Sequence, residues 1–404
     1  MISPSRHHDR KESIMKGIYS NFNDKIKIIT PDDGYHYFFG YYDMRATATV
    51  GKRGRHLCHR VKFMDRLPLP DDVCELGYLE DGKFTAFAET TAWNFQQGAL
   101  LEYCGFDEST VHYNAFEDGK FTTVIHNIDT GEQRFTDRPC ANVSPDFSYG
   151  LSVNFGRIYD FRPGYGYSGY ADEGSDVIAP ENDGVFLVDM STGKSRLLIS
   201  YKDMQGEAGF APEEKILVNH ITFAPDSKRY LMLVRNMGGG CQKWSTSLMV
   251  GDLNGGVKTV LPCTVVSHYY WESPDKIILF ASVDGQRNGL YRLDVNTGEA
   301  EEIKSFFFEM KSGTDIHCIL SPDGKYIIGD GYTQGDGCRP LLVINQESGE
   351  SAIMLRAESP TAACTDVRCD LHVRYVYGGE YVSFDTTHAG KRQVAIFPTK
   401  CIEI

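Results

Sequence analysis

Apolar residues in this chain fall in short runs, such as "VFLVDM", "YLMLVRN", "KIILFAS", "LYRLDV" and "LLVINQ". The runs are rich in β-branched and aromatic residues, partly alternate with polar ones, and are broken by Gly and Pro. That pattern predicts strands; a helix needs a longer run with a 3.6-residue period. Four stretches share a longer plan: "NHITFAPDSKRYLMLVRN" from Asn219, "SHYYWESPDKIILFAS" from Ser267, "DIHCILSPDGKYIIGDGY" from Asp315 and "DLHVRYVYGGEYVSFDTTHAG" from Asp370. Each opens with a His, passes through aromatic or apolar residues to a tight turn, and ends in a β-rich run. In the first three the turn is of Pro-Asp type, where Pro presets φ and Asp or Gly completes the bend. A second turn, Asp/Asn-x-x-Thr/Ser-Gly, recurs in "LDVNTGE", "INQESGE" and "VDMSTGK".

The four histidines are His220, His268, His317 and His372, spaced by 48, 49 and 55 residues. A repeat of about 40–50 residues made of four short strands predicts a β-propeller. Weaker copies at "HYFFGYYD", "TTAWNFQQGALLEY" and "CANVSPDFSYGLSVNF" bring the count to seven blades, an all-β ring. The last blade runs out of chain before a fourth strand. The early segment "KIKIIT" can supply it, closing the ring and removing an open edge. One domain over residues 25–404 is expected, after a disordered tail over 1–24 and with a Gly/Tyr-rich insertion at about 157–183. Insertions in propellers map to loops on one face, often the binding face.

Composition narrows the partners. A net charge of −14 argues against nucleic acid, which is gripped by basic surface. A short acidic ligand in a locally basic pocket stays open. Eleven scattered cysteines without a CxxC pair suggest free thiols in a reducing compartment. No stretch approaches the roughly 18 apolar residues of a membrane span, and no signal-peptide core is visible. A cytoplasmic protein is expected; its oligomeric state is not legible.

The first strand of each propeller blade lines the central channel, so histidines in phase on four blades aim at one small volume. Imidazole suits Mn, Fe, Zn, Cu and Ni. Asp370 sits two residues before His372 and so faces the same side. A His bonded within its own blade is the common alternative for any one of the four. Four in phase shift the balance towards a metal or catalytic cluster. Arginines match carboxylates bidentately, which singles out Arg157, Arg235 and Arg374, with Arg162 in the insertion. Aromatics and amides suit a sugar, which makes Trp93, Asn94, Gln96, Gln97 and Tyr269 candidates. Surface salt bridges and blade packing are the competing explanations for these residues.

In "VSHYYWESPD", "SPDGKYIIGDGY" and "DLHVRYVYGGEYVSFDTTHAGKRQVAIF" the chain resembles the oligogalacturonate lyases, seven-bladed propeller enzymes of pectin breakdown. Those enzymes hold manganese in the channel through histidines and a glutamine, and use a separate histidine as base. The resemblance implies that His268 and His372 are metal ligands and His220 the base. Asp370 stands where the family has a second His of a His-x-His pair, and Val367 where it has the glutamine. The expected ligand set is therefore His268, His317, Asp370 and His372. A carboxylate favours a harder ion, Mn²⁺ ahead of Ca²⁺, with Zn²⁺ as a further option. His220 and Arg235 are the expected catalytic pair. Trp93, Asn94, Gln97, Arg157, Arg162, Tyr269 and Arg374 are the expected substrate contacts.

The implied activity is β-elimination on short uronate-containing oligosaccharides. Two alternatives accompany it. A glycoside hydrolase needs two carboxylates, for which Asp43, Glu89, Asp330 and Asp370 are candidates. A non-catalytic propeller would bind a sugar or a protein.

Overall fold

In a computed structural model of the chain, the described residues are 18–19, 22–51, 54–236, 245–285, 287–305, 315–333, 335–360, 362 and 365–402. Seven antiparallel sheets follow one another along the sequence, six of four strands and one of five. The first strands are His36–Phe38, Glu102–Tyr103, Asn142–Val143, Ile216–Phe223, Val266–Trp271, His317–Leu320 and Arg374–Val376; His220, His268 and His317 lie on three of them, and His372 just precedes the last. This is the seven-bladed propeller expected from the repeat.

The turns form as their residues dictate. Asp294 Oδ1 accepts from the amides of Asn296 and Thr297, and Asn345 and Asp189 do the same in their hairpins. Asn127 adds a fourth copy, in "HNIDTGE". The Gly that ends each motif takes positive φ, 78° at Gly298 and 73° at Gly349, a region that costs other residues energy.

Ring closure comes from the N-terminal segment. Lys27–Ile28 pairs antiparallel with Gln393–Pro398, Lys27 opposite Ile396 and Ile28 opposite Ala395. Upstream, Ile18–Tyr19 lies parallel on the outer strand Ser351–Glu358 of the sixth blade, making its fifth strand. Part of the segment expected to be a disordered tail is thus β-structure; residues 1–17 of it lie outside the described residues.

The insertion lies between the strands Tyr149–Ser152 and Gly184–Asp189 and opens with a short helix, Phe155–Phe161, capped by the Asn154 side chain. A second helix, Tyr201–Glu207, precedes the fourth blade. Together they account for the long gap between Cys140 and Asn219. "TTAWNFQQGALLEY" ends in the second blade's opening strand, but that strand is only its last two residues. The rest is the link from the outer strand Lys83–Thr90 to the second blade's inner strand Glu102–Tyr103. The nine cysteines among the described residues are all free, and no described helix is long and apolar enough to cross a membrane.

Candidate active site in the central channel

All four in-phase histidines are buried at the axis. His268 and His317 have ring centroids 4.1 Å apart, and His317 and His372 4.5 Å. Tyr41, from "HYFFGYYD" on the first blade, reaches them all: 4.8 Å to His372, 5.1 Å to His220, 6.1 Å to His317 and 6.5 Å to His268. One nitrogen or oxygen from each of His317, Asp370 and His372 falls within 4.8 Å of the others.

The imidazoles divide by their partners. His268 Nδ1 lies 2.9 Å from Asp315, which also accepts from Ser267 Oγ, and His317 Nδ1 lies 3.3 Å from Asp330, its cross-strand neighbour. A carboxylate on Nδ1 fixes that nitrogen as donor and leaves the Nε2 lone pair free, the arrangement found behind metal-bound histidines. His317 Nε2 and both ring nitrogens of His372 are buried without a hydrogen-bond partner. Burial holds His268 neutral, its pKa pushed down to about 3 despite Asp315. Burial, with His317 adding repulsion, also places His372 well below the ordinary range. For His317 burial acts downwards, but Asp330 and the further carboxylates outweigh it and raise the pKa.

These orphaned lone pairs fit a divalent cation. Asp370 divides its two oxygens. Arg339 and Arg368 Nε, the latter at 3.1 Å, both bind Oδ1, while Oδ2 lies 2.9 Å from Arg368 Nη2 but is buried without a hydrogen-bond partner. Burial alone would raise its pKa, yet Arg339 and then Arg368 hold it well below the usual carboxylate range. The residues able to hold a cation are therefore His317, His372 and Asp370 through Oδ2, with His268 adjacent. Val367 belongs to the apolar core.

His220 stands apart. Its Nε2 lies 3.0 Å from Asp43, its ring stacks on Tyr269 at 4.4 Å, and its Nδ1 is buried without a partner. The strand bulges here, and His220 has φ of 57°, unusual for a residue other than Gly. The histidine is held at this point by its surroundings, against its backbone preference. Gln97 lines the same small cavity, with Asp43 and Tyr41.

The remaining expected contacts divide clearly. Arg235 is buried beside the channel, donates to Ser267 O at 3.4 Å, and has its pKa lowered to about 10 by burial and by Arg162. Arg162 stacks over Tyr165 at 4.0 Å, and Arg368 donates to the Tyr165 hydroxyl at 3.1 Å. A guanidinium cluster thus faces the imidazoles, as a locally basic pocket requires. Arg157 is not in it: it is fully buried, binds Asp172 at 3.3 Å and donates to Ile216 O and Ile178 O, fastening the insertion. Arg374 is likewise committed, to Asp385 at 2.9 Å, Ser383 and Gly40 O. Trp93 is blade packing; its Nε1 donates to Asp72 O and its ring meets Phe95 at 5.1 Å. Asn94 shapes the link, accepting from the amides of Gln96 and Gln97. Tyr269 supports His220 from behind, its hydroxyl donating to Leu231 O. All five are committed to contacts within the fold. Gln96 donates to Arg368 O at 2.9 Å and so braces the arginine. Glu89 is exposed on an outer strand, away from the channel.

Sequence reasoning passed over Tyr41, Asp315, Arg339 and Arg368. For Asp315 a signal existed: "DIH" and "DLH" place an Asp two residues before the His on successive blades. In both cases the carboxylate reaches towards the previous blade's histidine, Asp315 to His268 and Asp370 to His317. His112 and His126, on strands of the second blade, are both buried.

No protein-family model matches the chain, and no curated protein matches it in sequence. Solved structures do. An oligogalacturonate lyase in complex with manganese superposes with a TM-score of 0.65 at 14% identity, covering 94% of each chain. The oligogalacturonate lyase of Vibrio parahaemolyticus gives a TM-score of 0.64 at 13% identity, over 95% of this chain and 96% of that one. A puromycin hydrolase matches at a TM-score of 0.51 and 13% identity, over 88% of this chain but 52% of its own. At these identities the likeness is one of fold: the chain shares the seven-bladed ring of the lyases along nearly its whole length.

Proposed function

We propose that the chain is a cation-assisted lyase that cleaves short uronate-containing oligosaccharides by β-elimination, with His220 as the base. The observation that carries this is the division of the channel imidazoles. His317 and His372 offer unpartnered nitrogens to one point, with His268 adjacent, while His220 is held separately by Asp43. A divalent cation at the first group, Mn²⁺ ahead of Ca²⁺ or Zn²⁺, would supply a positive charge where negative charge develops on the substrate carboxylate.

The chain's own residues do the rest. Asp43 keeps the His220 proton on Nε2, so Nδ1 is the atom that accepts a proton. It takes the C5 proton; the electron pair forms the C4–C5 double bond and the C4–O bond breaks. Tyr41, its phenol kept protonated by burial, is the donor placed to give the leaving oxygen a proton. Arg162, Arg235 and Arg368 bind and orient the acidic substrate. The free cysteines suit work in the cytoplasm.

A hydrolase reading finds less support. Hydrolysis needs a carboxyl that stays protonated; Asp315 and Asp370 are held ionised, and Asp385, raised by burial, is paired with Arg374. The test is ultraviolet absorbance of newly formed C4–C5 unsaturated uronate on a panel of short uronides, with Mn²⁺ or with chelator. The expected result is a metal-dependent rise that His220→Ala abolishes. No rise on any uronide, with no metal retained by the protein, overturns the reading.

A further inference from the structure

A second cavity, of about 730 Å³, opens where the insertion covers the seam between the second and third blades. Its volume lies in the range of small-molecule sites. Val153 and Phe155 line both it and the small cavity at His220, so the two are neighbours separated by one layer of side chains.

Three features of its wall keep capacity for a ligand, although Tyr170 already donates its hydroxyl to Glu173. The Arg138 guanidinium lies 3.4 Å over the ring of Phe186 and has neither a hydrogen bond nor an ion pair to any described residue. Its nitrogens are not buried but open at the cavity wall, with Asp183, Asp137 and Tyr170 as electrostatic neighbours. Its neighbour Asp137 accepts the Ser195 amide with Oδ2 at 3.1 Å, but its Oδ1 is buried without a partner. Tyr170 presents a partly exposed ring, 37% accessible, braced edge-on by Phe121 at 5.9 Å. A fixed donor fork, an unmet acceptor and an aromatic face are what a pyranose ring needs: hydroxyls to bridge donor and acceptor, and a C–H face to lie on the aromatic.

The charge selects which sugar. Beyond Arg138 and Lys120 the wall carries Asp137, Glu173 and Asp183, and Asp172 is already paired with Arg157. The balance disfavours a carboxylate, in contrast to the arginine cluster of the channel. We infer that this cavity is a binding site for an uncharged sugar residue, held by Arg138 and Asp137 and stacked on Tyr170. The inference stands independently of the lyase reading, since its wall shares no charged residue with the channel.

The test is saturation-transfer NMR and titration calorimetry with lactose, cellobiose and xylobiose, and with galacturonic acid for comparison. At least one neutral disaccharide should bind, and Arg138→Ala and Tyr170→Ala should each weaken it by roughly tenfold, the loss of about 1.4 kcal/mol. His372→Ala should leave that binding unchanged. Tyr170 is exposed, so its variant reports on the site even if Arg138→Ala disturbs the Phe186 stack. Failure of all three neutral sugars to bind, or binding indifferent to both substitutions, overturns the inference. Galacturonic acid that competes with the neutral sugar at this site also overturns it.

Discussion

At the scale of single residues, the channel shows how a carboxylate changes what a histidine can do. Asp43 on Nε2 leaves His220 a base at Nδ1, while Asp315 and Asp330 on Nδ1 leave His268 and His317 with Nε2 as the donor atom. Asp43→Asn removes the charge that fixes the first arrangement. The expected effect on uronide cleavage is a fall in kcat of about 100-fold with KM little changed, and a displaced pH–rate profile. An unchanged profile would show that Asp43 only packs. Asp370 separates two roles in the same way. With Oδ1 bonded to Arg339 and Arg368 and Oδ2 without a hydrogen bond, Asp370→Asn should weaken Mn²⁺ binding by about tenfold, and His372→Ala by at least about 100-fold. Titration calorimetry compares the two; equal losses would make Asp370 a full ligand. The Asp-x-His pairs were readable in the sequence. Their reach to the histidine of the preceding blade was not, because it depends on how adjacent blades splay.

At the scale of elements, local chemistry governed what could be read. Pro-Asp and Asx-Gly turns depend on residues within a few positions of one another, so strand boundaries and the repeat were visible. The strand Lys27–Ile28 was predictable because the last blade lacked an outer strand. It holds by few bonds, including Ile29 N–H to Val394 O at 3.0 Å. Ile29→Pro removes that donor and should lower stability by about 1–2 kcal/mol, seen as an earlier midpoint in urea unfolding. An unchanged midpoint would mean that closure contributes little. The insertion misled in one respect. Arg157 is an arginine beside a Gly/Tyr-rich loop, yet it fastens that loop to Ile216 O and Asp172, and Arg162, five residues on, faces the channel. Trp93 and Asn94 misled similarly: in a link between blades, aromatics and amides make the connection itself.

At the scale of the whole molecule, the ring buries histidines that must stay neutral. Burial pushes His56, His59 and His268 down to about 3, and His372 well below its usual value. Their folded pKa values lie below the unfolded value of 6.5, so their contribution is present above pH 6.5 and is lost as pH falls. Below that point each costs up to about 1.4 kcal/mol per pH unit, because the unfolded chain binds a proton that the folded one refuses. His317, raised, acts in the opposite sense but is outnumbered. The melting temperature should therefore drop steadily from pH 6.5 towards pH 4; a flat calorimetric profile would contradict these burials. The sequence by itself determined the ring, its seven blades, its closing strand and the four histidines in phase, because strand periodicity, turn chemistry and repeat spacing are written in neighbouring residues. Only the tertiary structure decided which arginines meet a ligand, which carboxylate orients which imidazole, and that Tyr41 and Tyr165 enter the channel. Those contacts join side chains from different blades, and their geometry exists only once the blades are packed around the axis.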